Sequence, residues 1–130
     1  MPLLEAEFIT AIKAHSGIAG LISGRVYPNL LPQNVTLPAL TFSVVSTGRT
    51  ATFQTVGGLK RVRLQIDAFG KTFGATIELI DMVKTFCDTT TPGTWGSTTI
   101  HATMFQNEND LSWLDDIDVH RRQVDYIIWT

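Results

Sequence analysis

The chain has 130 residues, of which 44% are hydrophobic and 17% charged, with a formal net charge of −2 at pH 7. That length suits one domain, 1–130, able to bury a core without disulfides or metal, and the charge balance excludes a dedicated double-stranded DNA binder, which needs a basic face. Mean hydropathy is +0.13, but no apolar run nears the roughly 18 residues of a membrane span. No signal peptide is expected. The single cysteine, Cys87, leaves no internal disulfide and fits a reducing compartment. The charged fraction lies below the usual quarter or so, and a surface short of charge often has a partner surface to hide.

Leu3 to about His15 reads as an amphipathic helix, with Leu4, Phe8, Ala11, Ile12 and His15 at helical spacing and Glu5 and Glu7 in the first turn. Ser16-Gly17 stops it, and Ser16 is expected to cap a second short helix, Ile18 to Ile22. Arg25 to Tyr27 fits a short strand closed by Pro28. Pro28, Pro32 and Pro38 make 28–38 an ordered extended loop. The β-branched and aromatic run from Ala39 to Thr47 predicts a strand, and residues 48–58 a projecting loop ending at Gly57-Gly58.

Leu59 to Phe69 is the clearest strand: Val62, Leu64, Ile66 and Ala68 alternate with Arg61, Arg63, Gln65 and Asp67. A period of two with one polar face means a sheet covered on one side only. Thr72 is placed to cap a helix reaching about Phe86, with Phe73, Ile77, Ile80, Val83 and Cys87 along its apolar stripe. Residues 88–96 read as turn material. Two strands follow, near 97–106 and 118–129, joined by an acidic loop at 107–117. The order of elements predicts an α+β fold: a mostly antiparallel sheet of four to five strands with two main helices packed on one face. Val62, Leu64, Ile66, Ile77, Ile80, Val83, Val124, Tyr126 and Ile128 are expected to share one core.

No enzyme chemistry, cofactor or metal is expected. Cys87 sits on an apolar helix face, where a small buried residue is the better reading than a thiol nucleophile served by His101 or His120. Glu108, Asp110, Asp115, Asp116 and Asp118 are dense, yet Leu111, Ser112, Trp113 and Leu114 interrupt them and no glycine turn lies within. That pattern suits a solvated or partner-facing loop better than a hard-cation site. His15, His101 and His120 have no zinc spacing, and no phosphate-cradling glycine motif occurs. Trp113 and Leu114, apolar among acids, have two readings: folded back over the core, or anchoring a partner, as Phe53 would in the 48–58 loop.

One pattern recurs. Arg63, Gln65 and Asp67 share the spacing Arg-x-Gln-x-Asp with Arg121, Gln123 and Asp125. A crossover helix at 72–87 makes the strand after it roughly parallel to the 59–69 strand, and the final strand antiparallel to both. If the final strand lies beside the 59–69 strand, Arg63 faces Asp125, Gln65 faces Gln123 and Asp67 faces Arg121. That face would stay wet, line a channel or form a subunit contact.

The stretch "GRVYPNLLPQNVTLPALTFSVVS" after a helix pair, followed by "LKRVRLQIDAFGKTFGATIELIDMVKTF" and two closing strands, resembles the tail-completion or tail-terminator (head–tail joining) proteins of long-tailed bacteriophages over about residues 4–129. The resemblance implies a structural virion protein, assembled in the host bacterial cytoplasm, that forms a ring, expected as a hexamer, at the head-proximal end of the tail tube. Its partners would be itself, the tail-tube protein and the head connector or head-completion protein, with DNA passing through the channel unread. The surfaces to watch are the 48–58 and 107–117 loops and the polar sheet face. The alternatives are another head–tail connector or tail-tube component, or a small bacterial α+β ligand-binding domain or enzyme.

Overall fold

The computed structural model describes residues 4–32, 35–49, 60–89, 93–96, 98–110 and 119–130. Among these residues, three helices, α1 (Leu4–Ala14), α2 (Ser16–Ile22) and α3 (Phe73–Thr89), accompany seven strands: β1 (Val26–Pro28), β2 (Ala39–Arg49), β3 (Lys60–Gly70), β4 (Gly93–Trp95), β5 (Thr98–Ile100), β6 (Ala102–Asp110) and β7 (His120–Trp129). Five strands form one sheet in the order β1-β2-β3-β7-β6, and β4 and β5 form a separate hairpin. Among the described residues, β1 and β2 pair in parallel and the other pairings of the main sheet are antiparallel. The fold is the α+β arrangement expected from the alternation of elements. Because β6 and β3 both run antiparallel to β7, they are parallel to each other, as a crossover through α3 requires.

The core lies between the helices and one face of the sheet. Leu64, Ile66 and Ala68 of β3 and Val124, Tyr126 and Ile128 of β7 are fully buried there with Phe8, Ile12, Leu79, Ile80 and Val83 of the helices. α3 is pinned to this face at its far end, where the Tyr126 hydroxyl donates to Asp88 Oδ1 at 2.9 Å and the Thr103 hydroxyl to the Cys87 carbonyl at 2.7 Å. At its near end, Thr72 caps the helix as expected, its Oγ1 accepting from the Ala75 amide at 3.1 Å. Gly70 is required just before it: a Cβ there would overlap Thr76 Oγ1 and crowd the Thr76 amide.

Several local expectations are corrected. His15, not Ser16, caps α2: its Nδ1 accepts from the Ile18 amide at 3.2 Å, so an imidazole takes the place of the hydroxyl. The α3 stripe is rotated by one position. Leu79 and Phe86 point inward, Ile77 is only half-buried and Phe73 is 55% exposed. Thr76, Leu79, Ile80, Val83, Phe86 and Cys87 form an equally regular 3.6-residue stripe, and the sheet selects between the two. Phe73, in the first turn, overhangs the sheet and meets the His120 ring edge-on.

The 88–96 segment is more than a turn. It supplies β4, and Trp95 is buried, stacked on Phe86 at 5.7 Å and edge-on to Phe8 at 5.1 Å. β2 continues through Gly48 and Arg49, and β6 runs to Asp110, so residues 107–110 are strand rather than loop. The remainder of both expected loops lies outside the described residues.

Candidate functional site

The face of the sheet opposite the helices carries the residues singled out by the Arg-x-Gln-x-Asp repeat. β3 and β7 are neighbours and antiparallel, but the register differs from the expected one by two residues. Asp125 lies opposite Gln65, Asp67 opposite Gln123, Arg63 opposite Ile127 and Arg121 opposite Phe69. A slip of one residue would have turned every side chain over; a slip of two keeps the same face. The opposite charges still meet, along the diagonals that long side chains span between strands. Arg63 Nη2 donates to Asp125 Oδ2 at 3.0 Å, and Arg121 Nε donates to Asp67 Oδ2 at 2.8 Å.

The face is less wet than expected. Asp67 and Asp125 are 5% and 4% exposed, and Thr41, Phe69 and Ile127 on the same face are buried too. The carboxylates' own arginines provide part of the cover. The Arg121 guanidinium also lies 5.3 Å from the centroid of the Phe69 ring, a cation–π contact that holds it flat on the sheet. Gln65 and Gln123 are half-buried beside the carboxylates, and Arg61 is exposed near the start of β3. Met104 of the edge strand β6, opposite Ile127, adds an exposed apolar side chain to the same face. Among the described residues, the buried Asp125 Oδ1 accepts no hydrogen bond. The remaining candidates, Phe53, Trp113 and Leu114, lie outside the described residues.

The helix-covered side holds a second charged cluster that periodicity missed. Glu108 accepts from Lys84 Nζ at 2.7 Å and from Arg122 Nε. Burial works against its charge, but the hydrogen bonds from Lys84 and Arg122 outweigh it and hold the Glu108 carboxyl below the usual carboxylate range. The Glu108 hydrogen bond in turn raises Lys84, against the opposing effect of burial. The signal lay in the bulge of β6 between Phe105 and Asn107, where the register shifts and Glu108 turns to the Val124 face. Read as loop, Glu108 had no face at all.

Cys87 is buried, and burial followed by the neighbouring Asp88 pushes its thiol far up, which suits a core residue. Among the described residues, no three histidine, cysteine or carboxylate side chains converge. A surface groove of about 310 Å³ lies between His15, Glu78, Asp81, Met82 and Thr85. Two of its polar groups are already engaged: His15 Nδ1 by Ile18, and Asp81 by Lys84 at 3.2 Å. No described helix is long and apolar enough to cross a membrane.

Comparison with known proteins adds what geometry alone does not. A search of curated proteins returned no match. Among solved structures, a chain of the virion of a native gene transfer agent particle superposes with a TM-score of 0.78 at 13% sequence identity, covering 97% of this chain and 92% of that one. At that identity the likeness is one of fold. The family model for tail completion protein gp17 matches residues 6–130. The chain therefore belongs to the tail completion protein gp17 family and is a structural component of a phage tail.

Proposed function

We propose that this chain assembles as a ring, expected as a hexamer, at the head-proximal end of the tail tube, where it ends tube polymerisation and joins the tail to the head connector. The observations that support this reading are membership of the tail completion family and a sheet face that, among the described residues, buries Asp67 and Asp125 against Arg121 and Arg63. In a structural component, a broad sheet face that buries its charges against one another, rather than in a pocket, suits contact with protein. The partners are other copies, the tail-tube protein and a head connector or head-completion protein. DNA passes through the channel without being read, which a net charge of −2 favours because such a wall holds phosphate poorly. The site of action is the virion, reached by assembly in the host bacterial cytoplasm.

The test is to add the purified chain to polymerising tail tubes and to record tube lengths and ends by electron microscopy. Short tubes, each closed at one end by a ring with an open channel, are expected. Unchanged lengths and bare ends overturn the reading. Within it, Trp113 and Phe53 remain candidate anchors. Trp113→Ser should weaken capping more than folding, and full capping by that variant removes Trp113 from the interface.

A further inference from the structure

The two ends of the main sheet differ in charge. At one end β2 finishes at Arg49, which lies opposite Lys60 in register, and β3 begins with Lys60, Arg61 and Arg63. β7 ends and β6 begins beside them, and none of residues 47–49, 60–63, 101–104 or 127–130 has an acidic side chain. Arg61 is exposed and Lys60 half-buried, and neither has an ion partner among the described residues. Arg63 meets Asp125 through one nitrogen, and its side chain is 45% exposed. At the other end β6 finishes at Asp110 and β7 begins at His120. Residues 110–118 include Asp110, Asp115, Asp116 and Asp118 but no lysine or arginine. The arginines that follow are already engaged, Arg121 by Asp67 and Arg122 by Glu108. Lys71, exposed just past β3, offsets one of the four negative charges. Chain length keeps the two ends of one copy apart. Asp115 is five residues from Asp110 and five from His120, so it reaches at most about 17 Å from either anchor at ~3.4 Å per residue. Arg61 is nine residues along β3 from Gly70, which lies opposite His120, or roughly 30 Å at about 3.3 Å per residue. Pairing within one chain would need the segment and both side chains stretched to their limits.

We propose that the basic end of the sheet, Lys60, Arg61 and Arg63, receives the acidic 110–118 segment of a second copy of this chain. Charge complementarity selects that occupant: each copy carries both halves of the contact, at opposite ends of its sheet and too far apart to satisfy each other. Arg61 and Arg63 are exposed, so a neighbour meets them at the surface, and the buried carboxylates Asp67 and Asp125 take no part. A contact between two different patches is head-to-tail, and repeated with a constant rotation it closes into a ring. Each exposed pair contributes little alone, so several charges act together, and their main effect is on the rate and orientation of encounter. This inference rests on the ring proposed above and supplies a charge contact between its subunits.

Charge reversal tests the contact, read by sedimentation velocity over a concentration series and by capping of tail tubes, with circular dichroism to check folding. One variant combines Lys60→Glu with Arg61→Glu; the other combines Asp115→Lys with Asp116→Lys. Each alone should lose at least tenfold in self-association and in capping. An equimolar mixture should recover assembly, because alternate copies then meet either through two parental patches or through two reversed ones. If a reversed variant does not fold, Arg61→Gln replaces it and should weaken assembly, while Arg61→Lys preserves it. Raising salt from about 0.1 M to about 1 M shortens the screening length from about 10 Å to about 3 Å and should dissociate the parental oligomer. Association and capping by either reversed variant at the parental level overturn this contact and leave the proposed ring standing. Assembly that stops at a dimer overturns the head-to-tail arrangement. A parent that forms salt-sensitive oligomers larger than a dimer but never caps tubes supports the contact and overturns the role in the tail. A parent that neither associates nor caps overturns both.

Discussion

The two faces of the sheet are built from the same strands by different physics. On the helix-covered face, Leu64, Ile66, Val124, Tyr126 and Ile128 are buried by α1, α2 and α3, and each contributes through the apolar area it removes from water. That term is non-directional, so a pair of residues opposed in a slightly different register would serve nearly as well. On the opposite face, Asp67 and Asp125 are just as buried but are held by two specific arginines. There the geometry of single contacts decides the energy, and losing one partner strands a charge. The covered face is robust and supplies stability. The opposite face is exacting and contributes less.

The largest expected effect tests the covered face. Ile66→Ala or Ile80→Ala removes a fully buried side chain from the centre of the core and should cost about 2–5 kcal/mol, read by denaturant or thermal unfolding. A loss below about 1 kcal/mol at both sites would remove that face as the main source of stability. Next comes the opposite face. Arg121→Ala leaves the Asp67 carboxylate buried without its guanidinium and should cost about 1–3 kcal/mol. Arg63→Ala should cost less, about 1 kcal/mol or below, since that side chain is nearly half in water. Exchanging Arg63 and Asp125 together should be tolerated better than either change alone, a coupling that a double-mutant cycle measures. Equal losses at Arg63 and Arg121 would break the distinction between them.

A smaller effect is set by pH. The Glu108 carboxyl is held below its ordinary value by Lys84 and Arg122 against the cost of burial. Its contribution is therefore fully present above the unfolded carboxylate value of about 4.3 and is lost as the pH falls through the lower folded value. Lys84 is raised by its Glu108 hydrogen bond, so its share is full below about 10.4 and is lost as the pH rises through its folded value. Glu108→Gln should flatten the acid limb of the stability profile; an unchanged acid limb removes Glu108 as a source of that slope. The smallest effect expected is at Phe73, where Phe73→Ser should change stability by no more than about 0.5 kcal/mol, because the ring lies mostly in solvent. A loss as large as that of Leu79→Ala would restore Phe73 to the core stripe.

Much of this architecture was legible in the residue order. Alternation along 59–69 identified the buried and polar faces of β3, Thr72 marked the start of α3, and the crossover fixed which strands run parallel. These are short-range or counting arguments, and the chain obeys them because periodicity and capping act within a few residues. On the condition that β7 lies beside β3, which the structure meets, the Arg-x-Gln-x-Asp repeat paired the correct charges, though along diagonals rather than directly across.

What only the tertiary structure decided has a common cause. A period of two specifies a face but cannot distinguish two registers two residues apart, so the placement of Asp125 opposite Gln65 was set by packing across the whole sheet. The α3 sequence offers two overlapping helical stripes, and burial against β3 and β7 selected the one with Leu79 and Phe86. Trp95 sits among turn residues and is buried only because Phe8 and Phe86, distant in sequence, close around it. Glu108 found its two cations only because a bulge turned it toward α3. Local pattern determined which elements form and which face of each is apolar. The partner each side chain meets depends on contacts between residues far apart in the chain, and those follow from how the elements pack.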